Sequence, residues 1–311
     1  MATFSFIEKE FDSMGECLQY VKTHFPQGMV LKQVNRIGAD VTFAHEIPRY
    51  YYRGKSKVYP STTSSMQRVQ ATQSPRVVSD VLKVVGDVDS QLQGWLGIDS
   101  MLSAGYLQHY GFPTELLDIS SSLETAGFFG SYPDAQSIPQ EGCLCVFDTE
   151  CILNKSVVID LTEHDYALRP RLQSAYTFFH RDYLDIKAQE CVADLSLHWF
   201  YYKTSIDEKK GYFNRLKYLP SSLDDVTAGF IYMQLSNLAY KVSDAAADYL
   251  VNKCPIPVVP IVIESTTGIA KTFKQANIKF DEDVERYNLY RILSNMFPDT
   301  NTDRHGLNPF A

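Results

Sequence analysis

Gln108-His109-Tyr110-Gly111-Phe112-Pro113-Thr114-Glu115-Leu116-Leu117-Asp118-Ile119-Ser120 crowds side-chain donors and acceptors around a glycine and a proline, then turns apolar. Residues 105–113 read as a tight loop and residues 115–119 as a short strand. Residues 122–132 carry small and aromatic side chains at helical spacing, and Ser120, Ser121 or Ser122 is placed to cap that helix. Strand, polar turn and helix follow one another here. Upstream, residues 11–25 predict a helix that ends before Pro26, residues 43–52 an aromatic strand, and residues 79–104 a helix interrupted at Gly94 and Gly97. Downstream, residues 142–147 and 156–161 predict strands. Residues 234–251 predict a helix, 258–263 a strand, and 267–276 and 281–296 two more helices. The fold class is therefore α+β. No repeat or linker divides the chain, so the expectation is one elaborated domain over 1–311, with 1–45 a helical lead-in and 230–311 a helical and strand portion of the same domain.

Composition narrows the function classes. With 45% hydrophobic and 21% charged residues, the 311-residue chain sits near the globular average, which excludes disorder and disulfide scaffolds. Twenty-nine Lys and Arg against 37 Asp and Glu leave a net charge of −8, the wrong sign for sequence-independent nucleic-acid binding except through a local basic groove. The N-terminal residues lack a basic stretch followed by an apolar one, and no run is long enough to span a bilayer, so the expectation is a cytoplasmic chain with no membrane role. Six cysteines are expected as free thiols; Cys143-x-Cys145 with Cys151 lacks zinc-site spacing, and no metal is expected.

Three segments carry possible chemistry. In Tyr50-Tyr51-Tyr52-Arg53-Gly54 an arginine suited to bidentate phosphate binding ends an aromatic strand, beside a glycine that permits close approach. Its plainer reading is an edge-strand arginine paired with a carboxylate. The 108–120 stretch reads either as a ligand wall or as a hydrogen-bonded turn in which His109 and Asp118 satisfy backbone groups. Arg169-Pro170-Arg171-Leu172-Gln173-Ser174-Ala175-Tyr176, alone, is a basic loop before a strand. Tyr201-Tyr202 and Tyr212-Phe213, near Lys209, Lys210 and Arg215, read either as core or as a surface on which splayed bases stack.

In this order, along most of the chain, the segments resemble the FRG-domain family, named for an aromatic-Arg-Gly signature. Tyr52-Arg53-Gly54 matches that signature, and residues 60–68 resemble the proline and arginine stretch after it. The 108–114 block with Leu116-Leu117-Asp118 and Ser120 looks like the family's most specific motif, and Ala126 with Phe128-Phe129 resembles the helix after it. Arg171 and Gln173 fit a later motif, and Met296-Phe297-Pro298-Asp299 resembles the usual finish. Glu115 departs from a usual basic residue, Ile119 from a frequent Trp, and Ser174 from a common Gly.

A more distant likeness, to NAD-dependent ADP-ribosyltransferases, implies a split mixed or antiparallel sheet core with surrounding helices and NAD as co-substrate. It implies that Arg53, with Gly54, holds the diphosphate. Ser120 or Ser121 would support the nicotinamide-ribose pocket, His109 and Thr114 would line it, and Tyr110 or Tyr176 would stack. Gln173 aligns where that superfamily uses a carboxylate; Glu190, Asp118 or Asp160 would then supply the charge, with Glu190 placed first. The resemblance implies a bacterial toxin or phage-defence effector modifying nucleic acid, RNA favoured, with a neutralising antitoxin as partner. A non-catalytic nucleotide-binding module, an NAD glycohydrolase and a protein-modifying transferase stand as alternatives.

Overall fold

Tyr51 and Tyr52 are neighbours whose rings are buried in two different cores, because successive side chains of a strand leave on opposite faces. The computed structural model describes residues 7–35, 42–59, 61–131, 141–152, 156–163, 167–180, 186–187, 197–203, 225, 227–228, 230–231 and 242–253. Its elements begin with β1 (Lys9–Phe11), α1 (Met14–His24), β2 (Met29–Asn35), β3 (Thr42–Pro48), β4 (Tyr50–Lys55) and β5 (Ser61–Thr62). Then come α2 (Ser65–Thr72), α3 (Pro75–Leu96), α4 (Ser100–His109), β6 (Leu117–Ser120), α5 (Leu123–Ser131) and β7 (Glu141–Asp148). They continue with α6 (Thr149–Ile152), β8 (Ser156–Asp160), α7 (Leu168–Leu172), β9 (Ala175–His180), β10 (Ile186–Lys187), β11 (Leu197–Lys203) and α8 (Asp244–Lys253). The chain is mixed α/β, and no helix among the described residues is long and apolar enough to cross a membrane. Two compact units emerge, the first from residues 1–64, 115–160 and 173–215, the second from 65–114, 161–172 and 216–311.

The first unit is built on a seven-stranded mixed sheet ordered β1-β11-β7-β4-β6-β9-β8, parallel between β1 and β11 and antiparallel elsewhere. One face buries Tyr51, Leu117, Ile119, Cys143, Cys145, Phe147, Phe178, Leu197 and Trp199. The other buries Tyr52, Leu144, Val146, Phe200 and Tyr202 with Met14, Cys17 and Val21 of α1 and Ala126 of α5. A strand buried on both faces shows no polar alternation, which is why β7 reads as a continuous apolar run. Helix α5 starts where the Ser122 hydroxyl accepts the Thr125 N–H, and it crosses directly over Gly54. A Cβ on Gly54 would overlap the Ala126 carbonyl and the Gly130 amide, so the glycine of the aromatic-Arg-Gly signature is what lets the helix backbone lie on the strand.

In the second unit α3 buries Val77, Val81, Val84, Val88 and Leu92 along one stripe, each contributing about 1.5–3 kcal/mol. Ser74 caps its start; Gly97, at φ 65°, ends it. Gly94, expected to interrupt this helix, lies inside it with open space around it. Helix α4, capped by Asp99, takes in residues expected as loop, because Gly105 is buried there as a helical residue. The turn that follows is a Schellman motif: Phe112 N–H donates to the Leu107 carbonyl, Gly111 N–H to Gln108, and Gly111 takes φ 89°. The expected strand at 258–263 and the helices at 267–276 and 281–296 lie outside the described residues, as does the motif at 296–299.

Two glycine substitutions separate packing from propensity. Gly54→Ala is expected to lower the unfolding free energy by about 3 kcal/mol through overpacking, whereas Gly94→Ala raises it by about 0.5–1 kcal/mol through helix propensity. Urea unfolding of each variant beside the parent measures both.

Candidate functional site

Strands β4 and β6 touch through a single residue pair, Tyr52 opposite Ser120, whereas β4 and β7 pair continuously from Tyr50 to Lys55. The sheet therefore parts just beyond Tyr52, and Arg53 is the next residue. Its Nη1 donates across the gap to the Asp118 carbonyl. Its Nε is buried and has no hydrogen-bond partner among the described residues, and its guanidinium forms no ion pair with a described carboxylate. A buried donor left this way costs about 1–3 kcal/mol unless something binds it.

Register carries the site sideways from Arg53. Cys145 lies opposite Arg53 and Trp199 opposite Cys145; on the other side Ile119 pairs with Tyr176 and Tyr176 with Asp160. The Tyr52–Ser120 pair puts Ile119 across the gap from Arg53, so Trp199, Cys145, Arg53, Ile119, Tyr176 and Asp160 form one cross-strand row on one face. The Tyr176 ring is half-buried, its centroid 4.9 Å from that of Tyr51. Burial, then the charges of Tyr176 and Asp160, push the Tyr51 hydroxyl above its ordinary range. Lys55, two residues along from Arg53, holds its ammonium 4.4 Å from the Trp199 ring centre. Burial pushes the Cys145 thiol up, but a hydrogen bond from Cys143 and the charges of Lys55 and Arg53 outweigh it and leave the thiol below its ordinary value. Two cations thus face the same patch of the sheet.

The serines and Gln173 meet in this unit through backbone. Ser120 Oγ donates to the Gln173 carbonyl at 2.7 Å and accepts the Ser122 N–H at 2.9 Å, so its hydroxyl joins the two turns. Ser121 N–H donates to the Ser174 carbonyl at 3.0 Å. Gln173 is 3% exposed. Ser174 takes φ 47°, the left-handed region that glycine enters without steric cost.

His109, Tyr110 and Thr114 belong to the second unit, where the His109 carbonyl and the Tyr110 and Thr114 hydroxyls are hydrogen-bonded within it. Thr114 Oγ1 and Ser65 Oγ both donate to Gln108 Oε1, at 2.5 and 2.9 Å. Tyr110 is wholly buried, and its hydroxyl donates to Asp225 Oδ2 at 2.5 Å. Arg169, 1% exposed, donates its backbone N–H to the same oxygen and its Nη1 to the His109 carbonyl, with its guanidinium 5.2 Å from the centre of the Tyr110 ring. Tyr110 therefore presents no ring face for stacking in this conformation. Burial pushes the Asp225 carboxyl above its ordinary range, against Tyr110, Ala228 and Arg169, which favour its ionised form. Sequence reading missed Asp225, which no motif marks, and took Arg169 for a loop residue. Tyr201 and Tyr202 are strand residues buried in the sheet rather than a stacking surface. Glu190, Lys209, Lys210, Tyr212, Phe213 and Arg215 lie outside the described residues. A cavity of about 670 Å³ lined by Lys9, Glu10, Phe11, Tyr20 and Lys203 opens at the β1 edge, three strands from β4, and does not include Arg53.

Two outcomes follow. Ser174→Gly is expected to stabilise the fold by about 0.5–1 kcal/mol, the relief of left-handed strain exceeding the added entropy of the unfolded chain, as read from chemical denaturation midpoints. For Asp225, whose folded pKa lies above its unfolded value, the stability contribution is full below the unfolded pKa and is lost as pH rises through the folded one. The Tyr110 hydroxyl limits that loss, so Tyr110→Phe costs about 1.5–3 kcal/mol at pH 7, and the cost shrinks as pH falls toward 4 in unfolding curves taken across that range.

No curated protein and no solved structure matches this chain. Residues 48–137, which hold β4, the turn after α4, β6 and α5, match the model of the FRG domain, and the chain carries an FRG domain over that span.

Proposed function

We propose that this chain is an NAD-dependent ADP-ribosyltransferase acting on a nucleic acid, RNA favoured, as a bacterial toxin or phage-defence effector. The observation that carries the reading is Arg53, a half-buried side chain at the parting of β4 and β6 whose buried Nε donor no described residue takes. A diphosphate supplies acceptor oxygens matched to such a fork. Tyr176, in the same row and half-exposed, offers a ring on which the nicotinamide end would rest. The single-pair contact of β4 and β6, which leaves the seven-stranded sheet parted beside Arg53, supports this reading.

The chemistry asks little more of the protein. The bond from the ribose carbon to nicotinamide breaks, and its electron pair leaves with neutral nicotinamide. The ribose carbon becomes oxocarbenium-like and accepts a lone pair from a base amine, whose proton passes to water. Preorganised negative or hydrogen-bonding groups lower that barrier. Gln173 or Glu190 would hold the ribose, while Ser120 and Ser121 fix the turn behind it. NAD is consumed as a co-substrate and the reaction calls on no metal. A toxin of this kind works in the cytoplasm and implies a neutralising antitoxin. A non-catalytic nucleotide-binding module is the second reading, favoured by the enclosed, uncharged Gln173 in the aligned position.

Labelled NAD incubated with separate RNA, DNA and protein pools tests the proposal. Label is expected in RNA, with nicotinamide released and both signals at least about 100-fold lower in Arg53→Ala. Free ADP-ribose alone indicates hydrolysis, label in protein a protein acceptor, and saturable binding with no released nicotinamide the binding module.

A further inference from the structure

At the far edge of the sheet from β8, one aromatic ring of the first unit is built to carry a cation. Tyr20 and His24 stand one turn apart on α1, and their rings stack with centroids 3.9 Å apart and 20° between their planes. The His24 ring is itself held, its Nδ1 donating to the Tyr20 carbonyl at 2.9 Å. Phe11 and Phe200 hold the rim of the Tyr20 ring, with centroids 5.3 and 5.6 Å from its own. A ring stacked as closely as His24 leaves no room on its side, so the other face of Tyr20 is the one that meets the Lys9 ammonium. That ammonium lies 3.9 Å from the Tyr20 ring centre and 5.3 Å from that of Phe11. Lys9, Phe11 and Tyr20 open onto the cavity of about 670 Å³ beside β1, and that volume falls among those of small-molecule sites. Glu10, Asp12 and Glu16 line the same cavity, against Lys203 and Lys9. Lys9 is an exposed side chain on a flexible four-carbon stem, and it can swing into water. Three carboxylates then face one ammonium, and two negative charges are left beside a vacated ring. A single ammonium would only replace Lys9, whereas two of them on one short chain neutralise the cavity.

We propose that this cavity binds a small aliphatic diamine or polyamine, one ammonium taking the place of Lys9 over Tyr20 and a second meeting the carboxylate rim. The ring attracts the first through the negative charge of its face, an attraction that grows as water is excluded. The carbon chain between the two ammonium groups lies along Phe11, as the Lys9 stem does in the unliganded protein. Lys9 is thus a tethered stand-in that the ligand displaces. No bond is made or broken at this site, and it is independent of the NAD reading.

The experiment titrates the full chain calorimetrically with 1,4-diaminobutane and with butylamine, which has the same carbon chain and one ammonium fewer. Lys9→Met, Tyr20→Phe and Tyr20→Leu are titrated beside the parent. The diamine is expected to bind saturably, one molecule per chain, at least about tenfold more tightly than butylamine. Lys9→Met keeps the stem and removes the competing charge, so it is expected to bind the diamine about three- to tenfold more tightly than the parent. Tyr20→Phe keeps the ring face and stays within about threefold of the parent, whereas Tyr20→Leu binds at least about tenfold more weakly. Thermal melting confirms that each variant is folded; if Tyr20→Leu is not, the gain in Lys9→Met and the preference for the diamine still decide the outcome. Equal affinity for the two amines, weaker binding in Lys9→Met, or binding that folded Tyr20→Leu leaves unchanged overturns the proposal. So does the absence of saturable binding in the parent, including the case in which only Lys9→Met binds. Each of these results leaves the NAD reading untouched.

Discussion

The hydrogen bond from Arg53 to the Asp118 carbonyl stands where a backbone ladder bond between β4 and β6 would otherwise form. The rest of the first unit depends on it. A sheet buried on both faces leaves no room for an unpaired strand carbonyl, and the guanidinium satisfies that carbonyl while keeping the two strands apart. Because β4 pairs fully with β7 on one side and almost not at all with β6 on the other, charge enters the sheet interior at one point. That point is where Lys55, Trp199 and Cys145 gather on one flank and Tyr176 and Asp160 on the other.

The constraint that complements it is Gly54. Helix α5 covers the face opposite Arg53 and runs so close to β4 that no side chain fits beneath it. The two residues of the signature thus do different things on different faces: one lets a helix close the core, the other holds an open donor in the sheet. The 108–114 block divides in the same way. Gly111 provides the turn conformation, Thr114 and Gln108 tie the turn to Ser65, and Tyr110 is locked to Asp225 beneath Arg169. A motif dense in hydrogen-bonding side chains is here largely a device for holding a turn, and the groups left to meet a ligand in the first unit are fewer than the motif alone suggests.

Much of this was legible in the residues. The strand, polar turn and helix expected from 115 onward formed at Leu117–Ser120 and Leu123–Ser131 because apolar period and cap residues agree there, and Arg53 stood out as a cation suited to phosphate after an aromatic run, although an edge-strand ion pair was its plainer reading. Helix α4 was hidden by Gly105, since a glycine that breaks a solvent-exposed helix serves a buried one well. β11 was hidden by being buried on both faces, which erases alternation. Asp225 could not be found from spacing, as its partners Tyr110 and Arg169 come from distant parts of the chain and meet only in the fold. The face on which Asp118 or Asp160 projects was equally beyond the sequence, because a shift of one residue in register reverses it.

The proposed function requires Arg53 to be an anion receptor and not merely a clasp between strands. Calorimetric titration of ADP-ribose into the parent chain and into Arg53→Lys, which keeps the charge but loses the fork, tests this most directly. Saturable binding by the parent that weakens at least about tenfold in the lysine variant, with unfolding curves unchanged within about 1 kcal/mol, is the predicted result. Equal affinity in both proteins, or no binding in the parent, would contradict it.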